Sequence, residues 1–540
     1  MTVEDMATAT LRDRLGTVAA RFHAQVEAAG FVQDPDGIVA VASAVVMQAS
    51  ADGHTCLTIA SIVERVTESQ LGAFTASDLG AAIEAHPWVE LGDGSMPLVY
   101  EHDRLYLRRY REAEVRLARA LLAAAPDRFE VVTGGPGTGK TTSAALLISD
   151  LVTKNPAVRV ALAAPTGKAA ARLGEAIEVA WQREKLAHLE ETVPLAGRTL
   201  HRLLGYNPTS DSFRRGPTDP LEHDVVIVDE ASMVPLLLMD ALFDSLRPSA
   251  RLILLGDHDQ LASVEAGSVL SDIVRVADDG PLKGTVKRLT KSHRFDETKG
   301  IGALARAIRD GDADAALSAM SSNDGSVQHV ALPSGDDSWL EDFATLAEPV
   351  FDAESPDAAI KRLGQVRILC ATNAGPAGTG AITARAEQAL RKRGRDVTGW
   401  SYRGRPLLIT RNDYTLDLFN GDVGVVWDNI ESGEKVTRAF VSGQADAGRA
   451  RGFPLPQLPE AVTAWAMTIH KSQGSEFDTV YVVLPDRDSR VLSRELLYTA
   501  VTRAKSKVVL VGPAETLRNA IGKTARRESG LGYRLGVVRV

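Results

Sequence analysis

The residues with the clearest chemical promise lie in VVTGGPGTGKTTSAALL, residues 131–147, where a knot of glycines leads from an apolar run into one lysine and two threonines. Gly134, Gly139, Lys140 and Thr141 satisfy the spacing G-x-x-x-x-G-K-[ST], with a strand pattern before them and a helical pattern after. Glycines let successive backbone N–H groups converge on phosphate oxygens, and the start of the following helix adds its positive dipole end. The stretch Gly135, Pro136, Gly137, Thr138, Gly139, Lys140, Thr141 and Thr142 is therefore expected to hold a nucleoside triphosphate. Lys140 would reach the β and γ phosphates, and the Thr141 hydroxyl would hold Mg2+. Eighty-nine residues beyond Lys140, DVVIVDEAS places Asp229 and Glu230 at the end of an apolar strand. Adjacent acids at a strand tip can divide two tasks, Asp229 near the metal and Glu230 polarising an attacking water. Alone such a pair reads as a helix N-cap; beside a phosphate loop it reads as hydrolytic. A further strand, RLILLGD, runs into HDQLASVEAG, where the amide of Gln260 is placed to contact the γ phosphate or the water.

These residues need a scaffold, and the chain supplies it in two series. FEVVTG, VRVALAAP, DVVIVDEA and RLILLGD are short, apolar on both faces and separated by helical patterns, as strands of a covered parallel sheet are. They predict a doubly wound α/β domain over residues 113–330. VRILCATN opens a second series that VYVVLP and KVVLVG close, predicting a second parallel-sheet domain over 331–540. Between them, GRPLLITRNDYTLDLFNGDVGVVWD and the stretch after it read as short strands with Asn-Asp and Asn-Gly turns, a small β-barrel insertion at about 400–460. Residues 1–112 mix helical and short strand-like patterns without a catalytic constellation, and are expected to form a small, mainly helical docking domain.

Composition narrows the classes. A chain of 540 residues is too long for one core. A net charge of −9 supplies no general basic field, which argues against a non-specific nucleic-acid coat but leaves room for a narrow basic groove. Cys56 and Cys370 sit in apolar strings far apart, so buried small side chains are expected and no cysteine-based zinc site. No apolar run reaches membrane-spanning length, and the acidic beginning of the chain is unlike a secretory signal, so a cytoplasmic protein without membrane association is expected.

Two arginines are candidates for a charge supplied to the phosphates from each side: Arg294 in LTKSHRF and Arg503 in LLYTAVTRAK. GGPGTGKTT, APTGKAAARL, TLHRLLG, VDEASM, GDHDQLASVEAG, LTKSHRF, AMTIHKSQGSEFD and LLYTAVTRAK succeed one another as in superfamily 1 helicases, and their wording is most similar to the RecD branch, the alpha chain of exodeoxyribonuclease V. The resemblance spans residues 131 to about 512. ASADGHTCLTI and PLVYEHDRLYLRRY also resemble that chain's amino-terminal domain. It implies two RecA-like motor domains, an SH3-like barrel in the second, and ATP hydrolysis driving 5′-to-3′ travel on DNA. It also implies a heterotrimer with a RecB-like helicase-nuclease and a RecC-like scaffold, cutting being left to the partner.

Carried over by residue, the resemblance makes Lys140, Asp229, Glu230, Gln260, Arg294 and Arg503 catalytic, with Thr141 and Asp229 on the metal. Gly474 would approach the nucleotide through its backbone and Glu476 would reach the ribose. The family's glutamine ahead of the phosphate loop is missing from YREAEVRLARALLAAAPDRFEVV, and the connection is shorter than the family's. Adenine recognition then falls either to another group, stacking on His293 being the candidate, or to residues this stretch lacks. A single strand needs backbone-phosphate donors on both domains. Pro165, Thr166, Lys168, Thr199 and His201 are expected from the first, and Thr372, Asn373, Thr468, His470, Lys471 and Ser472 from the second. An ATP-gated binding subunit that does not translocate, and a stand-alone or RNA-directed helicase, are the alternatives.

Overall fold

In the computed structural model, residues 13–537 are described apart from 14, 23, 26–27, 29–36, 93–94, 125, 185, 187–194, 322–323, 332–336, 414, 432–433, 443–448, 488, 490 and 526. Two wholly parallel sheets dominate. The first has six strands in the order Val286–Leu289, Phe129–Gly134, Arg251–Gly256, Val225–Val228, Val160–Ala164, Arg198–Thr199. Its central strands are buried along almost their whole length, which is why they read as unbroken runs of Val, Ile, Leu and Ala rather than alternating patterns. One face packs under the helices Lys140–Lys154 and Gly167–Arg183, in a core that includes Trp181, whose indole N–H donates to Ala145 O at 2.9 Å. The other face packs under Arg108–Ala123, Leu236–Asp244 and Val269–Val276.

The second sheet has five strands in the order Val327–Val330, Ala504–Val511, Phe477–Val483, Val366–Cys370, Ala466–Thr468. Its first strand lies before the expected boundary near residue 330. Val327–Val330 pairs with Val508–Val511, and the helices Gly300–Asp310 and Ala313–Met320 bury Ile301, Leu304, Ile308 and Met320 in the second sheet's core. The helical pattern runs from one half into the other without a marked linker, so periodicity alone had no signal for the crossing. Cys370 lies in that sheet and Cys56 in the amino-terminal one, both free and buried.

The insertion is a five-stranded antiparallel sheet in the order Ala450–Pro454, Glu434–Ser442, Val423–Glu431, Pro406–Ile409, Ala461–Thr463. Among the described residues its two outer strands have one partner each. At the amino-terminal end, the helices Ile38–Ala51, Ile59–Glu68 and Ala76–Ala85 pack on a mixed four-stranded sheet. The helix Arg108–Ala123 runs on from that sheet into the first large domain.

The last described stretch does not stay with the second sheet. Residues 527–537 return to the amino-terminal domain and the first sheet. Thr55 N donates to Glu528 O at 3.0 Å, Arg527 Nη1 donates to Glu265 O at 2.8 Å, and Leu531 and Leu535 join the first sheet's core. At the join, Glu114 is fully buried; Thr55, Ser529 and Gly530 donate to it, while Arg534 reaches it and pairs with Glu101 at 2.7 Å.

Candidate nucleotide site and strand groove

The phosphate loop leaves the Phe129–Gly134 strand and enters the Lys140–Lys154 helix at Gly139, whose φ of 88° only glycine adopts freely. Gly137, φ 73°, is fixed by a second constraint. A Cβ there would lie 2.4 Å from Arg294 Cβ, because LTKSHRF lies directly against the loop. Ser292 Oγ donates to Pro136 O at 3.1 Å and His293 N to Gly137 O at 2.8 Å. These contacts bring Arg294 beside the loop, while His293 stays exposed. Lys140 Nζ donates to the carbonyls of Gly134 and Gly135. Thr138 Oγ1 ties the loop to itself through Gly135 O at 2.9 Å.

Asp229 follows the Val225–Val228 strand, its N–H donating to Ala163 O at 2.9 Å and its carboxylate accepting from Glu230 N at 2.8 Å. Burial, with the charge of Glu230 adding, raises its carboxyl to about 7, against Lys140 and Arg172 pulling the other way. Such a half-buried carboxyl at a strand tip suits a cation. Glu230 adopts φ 51° and ψ 40°, a left-handed conformation that costs a non-glycine residue of order 1 kcal/mol or more. That turn sets the second carboxylate off the line of the strand.

Across the cleft, the second half supplies Arg503, 4% exposed, at the end of the Arg494–Val501 helix. Its Nη2 donates to Gln260 Oε1 at 2.8 Å, its Nε to Thr499 O and its Nη1 to Ser475 O. Gln260 in turn donates through Nε2 to Asp257 Oδ2 at 2.9 Å, and Tyr498 OH donates to the same oxygen at 3.1 Å. Leu261 is sunk in the second half's core, its N–H donating to Thr499 Oγ1 and its carbonyl accepting from Gln473 Nε2, each at 2.9 Å. Tyr498 OH would lie 2.9 Å from a Cβ at Gly135, so this network reaches the phosphate loop itself. Beside it lies a cleft of about 250 Å³, lined among others by Gly134, Gly135, Pro136, Ser292, Arg309 and Tyr498.

Arg294 pairs with Glu476 of the second half at 2.7 Å, and Arg172 lies 3.5 Å from the same carboxylate. Burial raises the Glu476 carboxyl, but the two guanidinium charges outweigh it and hold the group below its ordinary range. Arg294 Nη1 is buried without a hydrogen-bond partner among the described residues. Gly474 O accepts from Arg172 Nη1 at 2.8 Å, and Gly474 sits against Thr166, so Gly474 and Glu476 face the first half here rather than lying apart from it.

The strand-groove candidates divide. Thr166, Thr199 and Thr468 use their hydroxyls to accept from the backbone N–H groups of Ala169, Arg202 and Lys471. Ser472 donates to Ile469 O, and Thr372 to Ala374 O. These side chains shape the strand ends; Pro165 precedes the Thr166 cap. Asn373 and Lys471 are exposed. His201 joins a ring cluster with Tyr206 and Phe213, and burial lowers its imidazole; burial, and then Arg527, does the same to His470. Lys168 is half-buried, reaching across the cleft with Nζ donating to Ser475 Oγ at 2.9 Å, and desolvation, Arg172 and Arg367 lower its ammonium to about 8. Asp257, Tyr498, Thr499, Gln473 and Arg172 touch the candidate residues or their neighbours without having been singled out in the sequence, although each lies within a few residues of one that was.

Comparison with known proteins fits this geometry. Residues 112–331 match the AAA domain, 463–511 the UvrD-like helicase C-terminal domain, and 13–106 the N-terminal domain of RecBCD enzyme subunit RecD. RecBCD enzyme subunit RecD of Mycolicibacterium smegmatis is 39% identical over 93% of this chain and 94% of its own length. The same subunit of Haemophilus influenzae is 35% identical over 76% and 71%. ATP-dependent RecD2 DNA helicase of Deinococcus radiodurans is 33% identical over 75% of this chain and 50% of its own.

Proposed function

The chain belongs to the RecD family of RecBCD enzyme subunits, and on that premise we propose that it is an ATP-dependent DNA helicase working as the motor alpha chain of such a complex. The observation that carries the reading is the Arg503–Gln260–Asp257–Tyr498 network. It joins the second sheet to the floor of the phosphate loop and lets one nucleotide report to both halves.

In this reading Gly135–Thr142 hold the triphosphate, Lys140 exchanges its loop carbonyls for phosphate oxygens, and Thr141 and Asp229 hold Mg2+. The metal, when bound, screens phosphate charge and polarises the bond to be broken. Glu230, set off the strand line by its left-handed turn, takes the proton of the attacking water. Arg294 and Arg503 stabilise charge developing on the γ phosphate from opposite halves. Arg294 must leave Glu476 to do so, which frees that carboxylate for the ribose. Closing and parting of the halves then moves a single strand held by its backbone, with little sequence preference and in the 5′-to-3′ direction. A RecB-like chain and a RecC-like scaffold complete the assembly, and cutting belongs to the partner. Among the described residues no helix is long and apolar enough to cross a membrane, and the cytoplasm is the proposed location.

The test is strand displacement on duplexes carrying 5′ or 3′ overhangs, with the wild-type chain and Lys140→Gln. Unwinding confined to 5′ overhangs and abolished by the substitution, with folding and complex assembly intact, is expected. Hydrolysis stimulated by DNA without displacement would favour the ATP-gated binding subunit instead.

A further inference from the structure

Arg202 was not among the residues expected to touch a strand, yet it shares the short Leu200–Leu204 helix with His201 and is capped by Thr199. It does not point idly into solvent. Its guanidinium pairs with the carboxylate of Asp417, in the β insertion, and lies 4.3 Å from the ring centroid of Phe419 in the same turn. The turn is braced to hold this shape. Asp413 and Leu418 exchange backbone hydrogen bonds, Arg451 Nη2 donates to Leu416 O and Asp417 O, and Phe419 N donates to Asp422 Oδ2 at 2.7 Å. Asp417 is itself left-handed, φ 57°, so backbone geometry rather than side-chain choice fixes where its carboxylate is presented.

A carboxylate held at a fixed position against a cation of a groove takes the place that a backbone phosphate of a nucleic acid would take. We propose that Arg202 is a strand-phosphate donor and that the Leu416–Asp422 turn of the insertion is an internal phosphate mimic, occupying Arg202 until a strand displaces it. The proposal rests on the reading of the Thr199–Leu204 region as part of the strand groove. A mimic lowers affinity for short or weakly held strands and gives the insertion a reason to move when DNA enters. It also predicts a muted salt dependence, because breaking an Arg–Asp pair takes up ions that the new Arg–phosphate contact releases.

The experiment is fluorescence anisotropy of labelled oligothymidylate with the full-length chain, titrated at several salt concentrations. Asp417→Asn is the decisive variant, since asparagine accepts the left-handed backbone and only the charge is lost. The mimic predicts binding tightened roughly two- to fivefold, the range for one partly exposed ion pair. It also predicts a steeper slope of log affinity against log salt. Arg202→Gln should weaken binding, and adding Asp417→Asn to it should give no gain. Unchanged or weaker binding by Asp417→Asn, or a gain that survives loss of Arg202, overturns the proposal while leaving the groove in place. A wild-type chain that binds no oligothymidylate overturns the groove and the mimic together.

Discussion

Gln260→Ala removes a side chain that touches Arg503 of the second half and Asp257 of the first at once. Gln260 is 7% exposed and Arg503 4%, so water does not readily replace what is lost. Hydrogen bonds to charged groups contribute about 1.5–3 kcal/mol. Of the two bonds, the one to Arg503 crosses between the halves, so the closed arrangement should weaken by that amount relative to the open one, roughly 10- to 150-fold in population. The phosphate loop is untouched, which leaves ATP affinity of the open form unaltered. The assay is steady-state ATP hydrolysis with and without saturating single-stranded DNA. DNA-stimulated kcat should fall by one to two orders of magnitude, KM for ATP should change little, and the unstimulated rate should fall less. An unaltered DNA-stimulated rate in a folded Gln260→Ala chain would refute the argument that this amide couples the halves.

The join between the carboxy-terminal strap and the amino-terminal domain gives two further expected outcomes. His54 Nδ1 accepts from Glu528 N, and burial first, then the charges of Arg65 and Arg527, push its imidazole down to about 4. The folded ring takes its proton well below the unfolded value of about 6.5. Stability should therefore be complete above pH 6.5 and fall as the pH drops towards 4, by at most about 3 kcal/mol; His54→Gln should flatten that slope in thermal unfolding followed from pH 7 to 4.5. Arg534→Ala leaves Glu114 fully buried without its guanidinium partner, at a cost of about 3–5 kcal/mol. It should lower the melting temperature and expose the strap to limited proteolysis, whereas Arg275→Ala, on an exposed side chain nearby, should do neither.

The legible parts of this chain are those whose chemistry is local. Gly137 and Gly139 announce a loop that needs left-handed backbone, and the buried strands VVIV and RLILLG announce a covered parallel sheet. Asp229 and Glu230 follow the Val225–Val228 strand, at the strand tip where the DVVIVDEAS pattern puts them. What stayed hidden depends on partners far along the chain. Tyr498 reads as one more apolar residue of a helix until Asp257 is placed 241 residues away against its hydroxyl. Arg202 reads as a surface arginine until Asp417 arrives from the insertion. Residues 300–330 carry a helical pattern that fits either half, and only the pairing of Val327–Val330 with Val508–Val511 decides. The return of residues 527–537 to the amino-terminal domain left no composition signal, since a strap of mixed polar residues resembles any loop.

The central claim is that both halves act on one triphosphate, and Arg503 is where it is most exposed to test. Arg503→Lys keeps a positive charge but loses the fork that meets Gln260, Thr499 O and Ser475 O together. Single-turnover hydrolysis should be measured on DNA-bound enzyme, with nucleotide affinity measured separately by competition against a fluorescent analogue. The account predicts affinity within a few-fold of wild type and hydrolysis slowed by about 10³ or more, the scale of a lost arginine finger. Hydrolysis within tenfold of wild type in a folded variant would contradict it.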